Sequence, residues 1–184
     1  MAVLVLMLRG VNLGSHNRVK MEDLRKLCES LRLRDVETYV QSGNVVFRTD
    51  EQDSRKLARR IEDGVQRTFG FRAECIVRTP GELRKVVSGS PFAGRAGLEP
   101  GRLLVVFLAD EPSREGRAAV EELRPDPEEL HLAGREIYIY FRDGIGRSKL
   151  SWVKIEKMLK TPATARNWTS VTKILEMAER LEKA

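Results

Sequence analysis

The chain has 184 residues, of which 41% are hydrophobic and 33% charged, a composition typical of folded globular proteins. The longest wholly apolar run covers residues 2–8, which is far too short to cross a bilayer, and no signal-peptide pattern surrounds it. We therefore expect a cytoplasmic protein with no membrane partner.

The first half of the chain predicts the element order β-α-β-β-α-β. Residues 2–8 are apolar at every position, which indicates a strand that is covered on both faces. Apolar residues at helical spacing predict helices, and short alternating or β-branched runs predict the other strands. The predicted helices cover residues 21–32 and 54–68, the latter with Ser54 as N-cap, and the further strands cover residues 36–41, 44–48 and 73–78.

This order is that of the split βαβ, or ferredoxin-like, arrangement. A right-handed crossover makes the first two strands parallel, and the third strand lies between them in the opposite direction. The loop 9–20, which follows the first strand, and the hairpin 41–44, which follows the second, should therefore be neighbours in space.

The second half repeats this pattern as a β-α-β-β-α variant followed by a C-terminal helix. Predicted strands cover residues 102–109, 128–132 and 135–141, and predicted helices cover residues 113–123 and 150–159, with Ser113 capping the former. Residues 163–168 look irregular, and Thr169 is the expected cap of the last helix. We expect an α+β protein of two ferredoxin-like units, 1–90 and 102–184, with a Gly- and Pro-containing connection at 91–101.

Four stretches of the chain carry a resemblance to a known family. They are Leu8-Arg-Gly-Val-Asn-Leu-Gly, Tyr39-Val-Gln-Ser-Gly-Asn-Val-Val-Phe, Arg147-Ser-Lys-Leu and Ala163-Thr-Ala-Arg-Asn-Trp. In this order they resemble the signature stretches of a bacterial domain-of-unknown-function family, DUF1697. The resemblance implies a fold of two ferredoxin-like α+β units, and it implies no activity, substrate or cofactor.

The net charge of +6 is unevenly distributed along the chain. Residues 135–184 contain 11 cations and 6 acids, whereas residues 100–134 contain 4 cations and 8 acids. This asymmetry favours an acidic partner such as a phosphate, a nucleotide or a nucleic acid. The alternative is an ordinary solvated basic surface.

The loop 9–20 is the first candidate for an anion site. Arg9, Asn12 and Lys20 offer charge-assisted hydrogen bonds where a strand enters a helix N-terminus. The alternative is that Arg9 pairs with a carboxylate while Asn12 only shapes the turn. The neighbouring hairpin adds a second group of candidates: Gln41, Ser42 and Asn44. These residues either contact a ligand or only form the turn of the hairpin.

The second glycine loop, residues 142–149, repeats the chemistry of the first. Arg147, Ser148 and Lys149 precede a predicted helix, so together they could form a second phosphate-binding site. The alternative is that Ser148 is only the N-cap of that helix. Arg166 and Asn167 follow a predicted helix break and complete the candidate set.

Other kinds of site find little support in the sequence. The two His and two Cys residues stand at no metal-ligand spacing, so we expect no metal, and no pattern indicates a cofactor. Cys28 and Cys75 have apolar neighbours and are expected to be buried, reduced thiols, the alternative being a disulfide or a reactive thiol. The first strand has no aromatic residue and the third only Phe47, which argues against RNA binding by base stacking on the sheet.

The leading hypothesis is a protein that binds a phosphate-bearing ligand at loops between the two units. The ligand is a phosphorylated metabolite, a nucleotide or a nucleic-acid backbone. One alternative is an enzyme that acts on a phosphorylated small molecule, although no base or nucleophile is identifiable. The other is a scaffold or oligomerisation protein in which these motifs only cap and pack.

Overall fold

Eight strands form two antiparallel four-stranded sheets in the computed structural model, which describes residues 1–184. Each sheet belongs to one of two structural units, and helices accompany both, so the predicted α+β class is confirmed. The first unit consists of Met1–Arg84 and Lys173–Ala184, and the second consists of Lys85–Thr172. The boundaries 1–90, 91–101 and 102–184 stay a prediction from the sequence. None of the helices combines the length and apolar character that crossing a membrane requires.

The first unit has the predicted element order. Its elements are β1 (Ala2–Leu8), α1 (Met21–Ser30), β2 (Arg34–Tyr39), β3 (Asn44–Thr49), α2 (Ser54–Phe69) and β4 (Cys75–Arg78). The sheet order is β2-β3-β1-β4, and all neighbours are antiparallel. The prediction that the third strand lies between the first two is therefore confirmed. The hairpin is longer than expected, because β2 ends at Tyr39 and four residues, 40–43, connect it to β3.

The core of the first unit is built around β1. Six of its seven residues are buried, so both faces of this strand are covered, as its uninterrupted apolar sequence predicts. Leu4, Leu6 and Leu8 pack with the apolar faces of α1 and α2. On the other face, β3 contributes Arg48, which donates a hydrogen bond to the Leu181 carbonyl in Lys173–Ala184. Burying each large aliphatic side chain stabilises the fold by about 1.5–3 kcal/mol.

The second unit has the same order of elements as the first. They are β5 (Leu103–Leu108), α4 (Arg114–Glu121), β6 (Glu129–Ala133), β7 (Glu136–Tyr140), α5 (Trp152–Leu159) and β8 (Ala163–Asn167), with sheet order β6-β7-β5-β8. Two further helices, α3 (Pro80–Ser88) and α6 (Trp168–Lys183), each contribute residues to both units. The predicted β-α-β-β-α variant is thus incomplete by one strand.

That missing strand is β8, and the expectation of irregular structure at residues 163–168 is wrong. Its sequence, Ala-Thr-Ala-Arg-Asn, lacks the β-branched and aromatic residues that mark a strand locally. The strand forms because it pairs over its whole length with β5, from Ala163 opposite Leu108 to Asn167 opposite Leu104. Tertiary pairing overrides the weak local preference here.

Helix caps were predicted with mixed success. Ser113 caps α4 as expected, since its hydroxyl accepts a backbone N–H of the first turn. Ser54 does not cap α2, because the preceding Asp53 accepts two backbone N–H groups with its carboxylate. Thr169 does not cap α6 either, because Asn167 accepts the N–H of the residue three positions on. In both cases the cap lies N-terminal to the predicted residue.

Both thiols are free and buried in the first unit, as predicted. Burial raises the pKa of Cys28 to about 12, with a smaller contribution from the Glu29 charge. Burial also raises the pKa of Cys75 well above its ordinary value, assisted by the Glu62 carboxylate. Neither thiol therefore supplies a thiolate near neutral pH.

These shifts predict a loss of stability at high pH. The unfolded chain releases its thiol protons near pH 8.5, whereas the folded chain keeps them, so the free energy of unfolding should fall as pH rises from about 8.5 toward 12. Urea denaturation between about pH 8 and pH 10 should show a smaller fall for Cys28→Ala than for the wild type. Equal falls in the two proteins would contradict the assignment.

A second prediction concerns the contact between α4 and α5. A Cβ built on Gly116 would lie 2.7 Å from the backbone carbonyl oxygen of Met158, which is closer than real Cβ atoms come. We expect Gly116→Ala to lower the free energy of unfolding by about 1–3 kcal/mol, despite the better helix propensity of alanine. Gly101→Ala is the matched control, because its Cβ would meet nothing within 4 Å. If both variants unfold at the same urea concentration, the two helices have room to separate.

Candidate functional site

In the first unit the loop 9–20 and the hairpin lie side by side, as the predicted topology requires. The backbone N–H of Leu8 donates to the Gly43 carbonyl over 2.9 Å, at the point where β1 ends. The side-chain amide of Asn12 donates to the Gln41 carbonyl over 2.7 Å. These residues are about thirty positions apart in the sequence, and the antiparallel pairing of β1 with β3 brings them together.

Asn12 holds the loop in shape. Its backbone is in the left-handed region (φ 55°), which asparagine tolerates better than most residues. Its amide nitrogen also donates to the Val19 carbonyl over 2.8 Å, and its amide oxygen accepts the Val19 N–H over 2.9 Å. The polar atoms of this side chain therefore form hydrogen bonds with the backbone of the loop and of the hairpin.

The hairpin residues have similar structural contacts. Asn44 is 0% exposed, and its amide donates to the Tyr39 carbonyl over 3.2 Å and to the Ser42 hydroxyl oxygen over 2.8 Å. Buried amides need such partners, because leaving one unsatisfied costs about 1–3 kcal/mol. Gln41 is exposed at the tip of the hairpin.

Among the cations of the first loop, Arg9 is neutralised. Its guanidinium lies 2.6 Å from the Glu74 carboxylate, and its backbone N–H donates to the carbonyl of the same residue. The cations that remain exposed are Lys20 and Arg18, and neither side chain forms an ion pair. Arg18 was not among the predicted site residues, although it is a cation of the same loop, 9–20, and its side chain is exposed.

In the second unit, Arg147 and Lys149 are exposed, and their side chains form neither hydrogen bonds nor ion pairs. Ser148 lies between them, and its hydroxyl accepts the backbone N–H of Leu150 over 3.0 Å. This bond closes a local turn, because α5 begins only at Trp152. The alternative in which Ser148 is the N-cap of this helix is therefore wrong.

Arg166 lies inside the second unit, on β8. It is 7% exposed, and its guanidinium donates to the Thr164 hydroxyl oxygen and to the Ala165 carbonyl, both over 2.8 Å. Burial lowers the pKa of Arg166 to about 10, which still leaves it charged at neutral pH. Its neighbour Asn167 caps α6. Both side chains therefore have structural partners.

The first unit contains a counterpart of this buried arginine. Arg78 on β4 is 1% exposed and donates to the carbonyl of the residue before it, as Arg166 does. Arg78 stands opposite Val5 of β1, and Arg166 stands opposite Val105 of β5, in each case three residues before the end of the central strand. The two sheets thus repeat one register as well as one strand order.

Two clefts in the first unit are lined by none of the predicted site residues. They measure about 520 and 400 Å³, and Arg48 borders both. In the larger cleft the charges compensate each other: Arg48 lies 3.7 Å from Asp35, and Arg25 lies 3.2 Å from Glu29. Such a surface has little net attraction for an anion. No group of three or more His, Cys, Asp or Glu residues is arranged to hold a metal ion.

Comparison with known protein families shows to which family the chain belongs. The model of DUF1697, a protein family of unknown function, matches residues 1–138. The chain belongs to the DUF1697 family. This confirms the resemblance carried by the glycine loop and the hairpin, and both motifs lie within the matched residues of this DUF1697 protein.

Among solved structures, the DUF1697 chain is similar to the conserved bacterial protein SP0830 from Streptococcus pneumoniae. The sequences are 24% identical, the TM-score is 0.73, and the match covers 97% of this chain and 99% of the other. At this identity the likeness establishes a shared fold. No curated protein matches the chain significantly in sequence.

The contact between loop and hairpin predicts an unusual sensitivity at Gly43. A Cβ at this position would lie 2.8 Å from atoms of both Leu8 and Val11, and the backbone is left-handed (φ 74°). Gly14 is also left-handed (φ 61°), but its Cβ would meet nothing within 4 Å. Both alanine variants carry a backbone penalty of about 1 kcal/mol, and only Gly43→Ala adds overpacking of about 1–3 kcal/mol.

Thermal and urea unfolding of the two variants measure this difference directly. Gly43→Ala should be the less stable of the pair by the overpacking contribution. Equal stability would show that the hairpin can move away from β1 without cost.

Proposed function

We propose that this DUF1697 protein binds a phosphate-bearing ligand through the exposed cations of its glycine loops. The observation that carries the proposal is the state of Arg147 and Lys149, which are exposed, two residues apart and without a carboxylate partner. Cations that are not neutralised within the protein raise the local positive potential and can form charge-assisted hydrogen bonds with phosphate oxygens. The ligand is a phosphorylated metabolite, a nucleotide or a nucleic-acid backbone.

The first unit supplies a second, weaker phosphate-binding site. Its loop exposes Arg18 and Lys20, while Arg9 is already paired with Glu74. We infer that the amides of Asn12 and Asn44 contribute to binding indirectly, since their hydrogen bonds hold the loop and the hairpin in place. Of the other predicted contacts, Gln41 remains exposed, and Ser42, Ser148, Arg166 and Asn167 have structural partners.

We also propose that each unit is a ferredoxin-like domain of a cytoplasmic bacterial protein. The domain proposal is supported by the β-α-β-β-α-β order of both units and by their matching antiparallel sheets, β2-β3-β1-β4 and β6-β7-β5-β8. The bacterial origin is supported by the likeness to a Streptococcus protein.

Calorimetry with ATP and with inorganic pyrophosphate tests the proposed function. Arg147→Ala with Lys149→Ala should weaken binding at least about tenfold, because two charge-assisted hydrogen bonds are lost. Arg18→Ala with Lys20→Ala should have a smaller effect.

The matched control is Arg59→Ala with Arg67→Ala, which removes two exposed cations from α2 and so changes the net charge equally. The control should bind like the wild type. If the loop variant and the control behave alike, or if the wild type binds neither anion, the glycine loops are not phosphate seats.

A further inference from the structure

The second unit exposes a group of cations that extends beyond its glycine loop. Residues 147–160 contain five cations and a single acid, Glu156. All five cations are exposed, and none of their side chains forms a hydrogen bond or an ion pair. We call this group the α5 surface; it consists of Arg147, Lys149, Lys154, Lys157 and Lys160.

Helical geometry arranges these side chains on one side of α5. Ile155 and Leu159 face the core of the unit and are buried. At 100° per residue, Lys157 points away from that core and Lys154 flanks it, while Lys160 follows the last residue of the helix with a left-handed backbone (φ 53°). Lys154 and Lys157 therefore lie on the exposed face of the helix, and this stripe continues in the chain with Arg147 and Lys149 before the helix and with Lys160 after it.

The helix that carries the stripe is firmly held. Ile155 and Leu159 are almost completely buried, and the backbone of α5 comes so close to α4 that a Cβ at Gly116 would lie 2.7 Å from the Met158 carbonyl oxygen. Charges on a packed helix keep their spacing, whereas charges on a mobile tail do not. A fixed spacing reduces the ordering cost of binding a partner with regularly spaced charges.

The length of the stripe indicates which kind of ligand it fits. Lys154 and Lys160 are six residues apart, which corresponds to about 9 Å along the helix axis, and the loop adds further length. One phosphate group is too small to contact cations over that distance. A chain of phosphates presents a negative charge every few ångströms and can contact several of them at once.

We propose that the α5 surface binds the sugar-phosphate backbone of a nucleic acid. For Arg147 and Lys149 this inference rests on the proposed function, and for Lys154, Lys157 and Lys160 it goes beyond that function. Val153, which is 61% exposed among the cations, adds apolar contact with sugars or bases.

Recognition of this kind is independent of nucleotide sequence. Base stacking on the sheets would need exposed aromatic side chains on the central strands. Phe47, Phe107 and Tyr138 are all buried, so the contacts available are those of the cations with phosphates. Binding should therefore depend strongly on salt and little on base composition.

Fluorescence anisotropy with labelled oligonucleotides of about 20 nucleotides tests the proposal, using single-stranded RNA and duplex DNA as separate arms. Affinity should fall steeply between about 50 and 200 mM salt. The variant Lys154→Glu with Lys157→Glu should bind at least about tenfold more weakly. The slope of the logarithm of its affinity against the logarithm of the salt concentration should be smaller in magnitude by about 1.4 for single strands and about 1.8 for duplex DNA.

The matched control is Arg59→Glu with Arg67→Glu, which makes the same change in net charge on α2 of the first unit. Its affinity should stay within about twofold of the wild type, because neither arginine belongs to the proposed phosphate contacts. Circular dichroism melts establish that both variants are folded. The arm that binds more tightly identifies single-stranded or duplex nucleic acid as the partner.

Three results would overturn the inference. The wild type would bind neither nucleic acid; or the α5 variant and the control would lose affinity equally; or the protein would bind only vesicles containing phosphatidylglycerol, which would make the stripe a membrane-surface contact. Calorimetry with ATP separates the two proposals. If ATP binding persists in the α5 variant and requires Arg147, the proposed function holds even when nucleic acid does not bind.

Discussion

The requirement to bury β1 on both faces governs the structure of the first unit. Its residues are apolar at successive positions, so neither face can be left to water without losing about 1.5–3 kcal/mol for each large side chain. A strand of this kind must lie inside the sheet, and β1 does, between β3 and β4. The chain then leaves β1 beside the β2–β3 hairpin. The positions of the glycine loop and of Gly43 follow from this burial rather than from any preference of the loop itself.

Features with a local physical signature were predictable from the sequence. The apolar run of β1 and the helical spacing in α2 identify their elements directly, and the element order then predicts which strands are neighbours. β8 was not predictable in this way, because Ala163 and Ala165 carry no preference for a strand, and only pairing with β5 stabilises it. The length of the β2–β3 hairpin was not predictable for a related reason. Val40 adopts a left-handed backbone (φ 50°), which β-branched residues rarely do, so nothing local marked it as a turn residue.

The candidate site was harder to predict, because the same polar residue types stabilise turns and bind ligands. Asn12 and Asn44 both satisfy backbone carbonyls, and a single sequence does not distinguish this from ligand contact. The difference between Arg9 and Arg147 is also invisible locally. Arg9 is neutralised by Glu74, which is 65 residues away in the chain, whereas no acid reaches Arg147. The lysines of α5 carry no local signal of binding, because in the sequence they look like the ordinary solvated face of a helix.

Burial decides which arginines of this protein are available to a partner. Arg78 and Arg166 occupy equivalent positions in the two sheets, and each donates to the carbonyl of its preceding residue. Moving a guanidinium out of water is costly unless such acceptors replace the lost hydration. These two guanidinium groups therefore have a structural role and are not available to a ligand. The lower pKa of Arg166 reflects that cost. Arg147 and the α5 lysines keep their hydration in the free protein. In the binding proposed above, they would exchange it for ion contacts with the polyanion, and the counterions released from that polyanion would drive association.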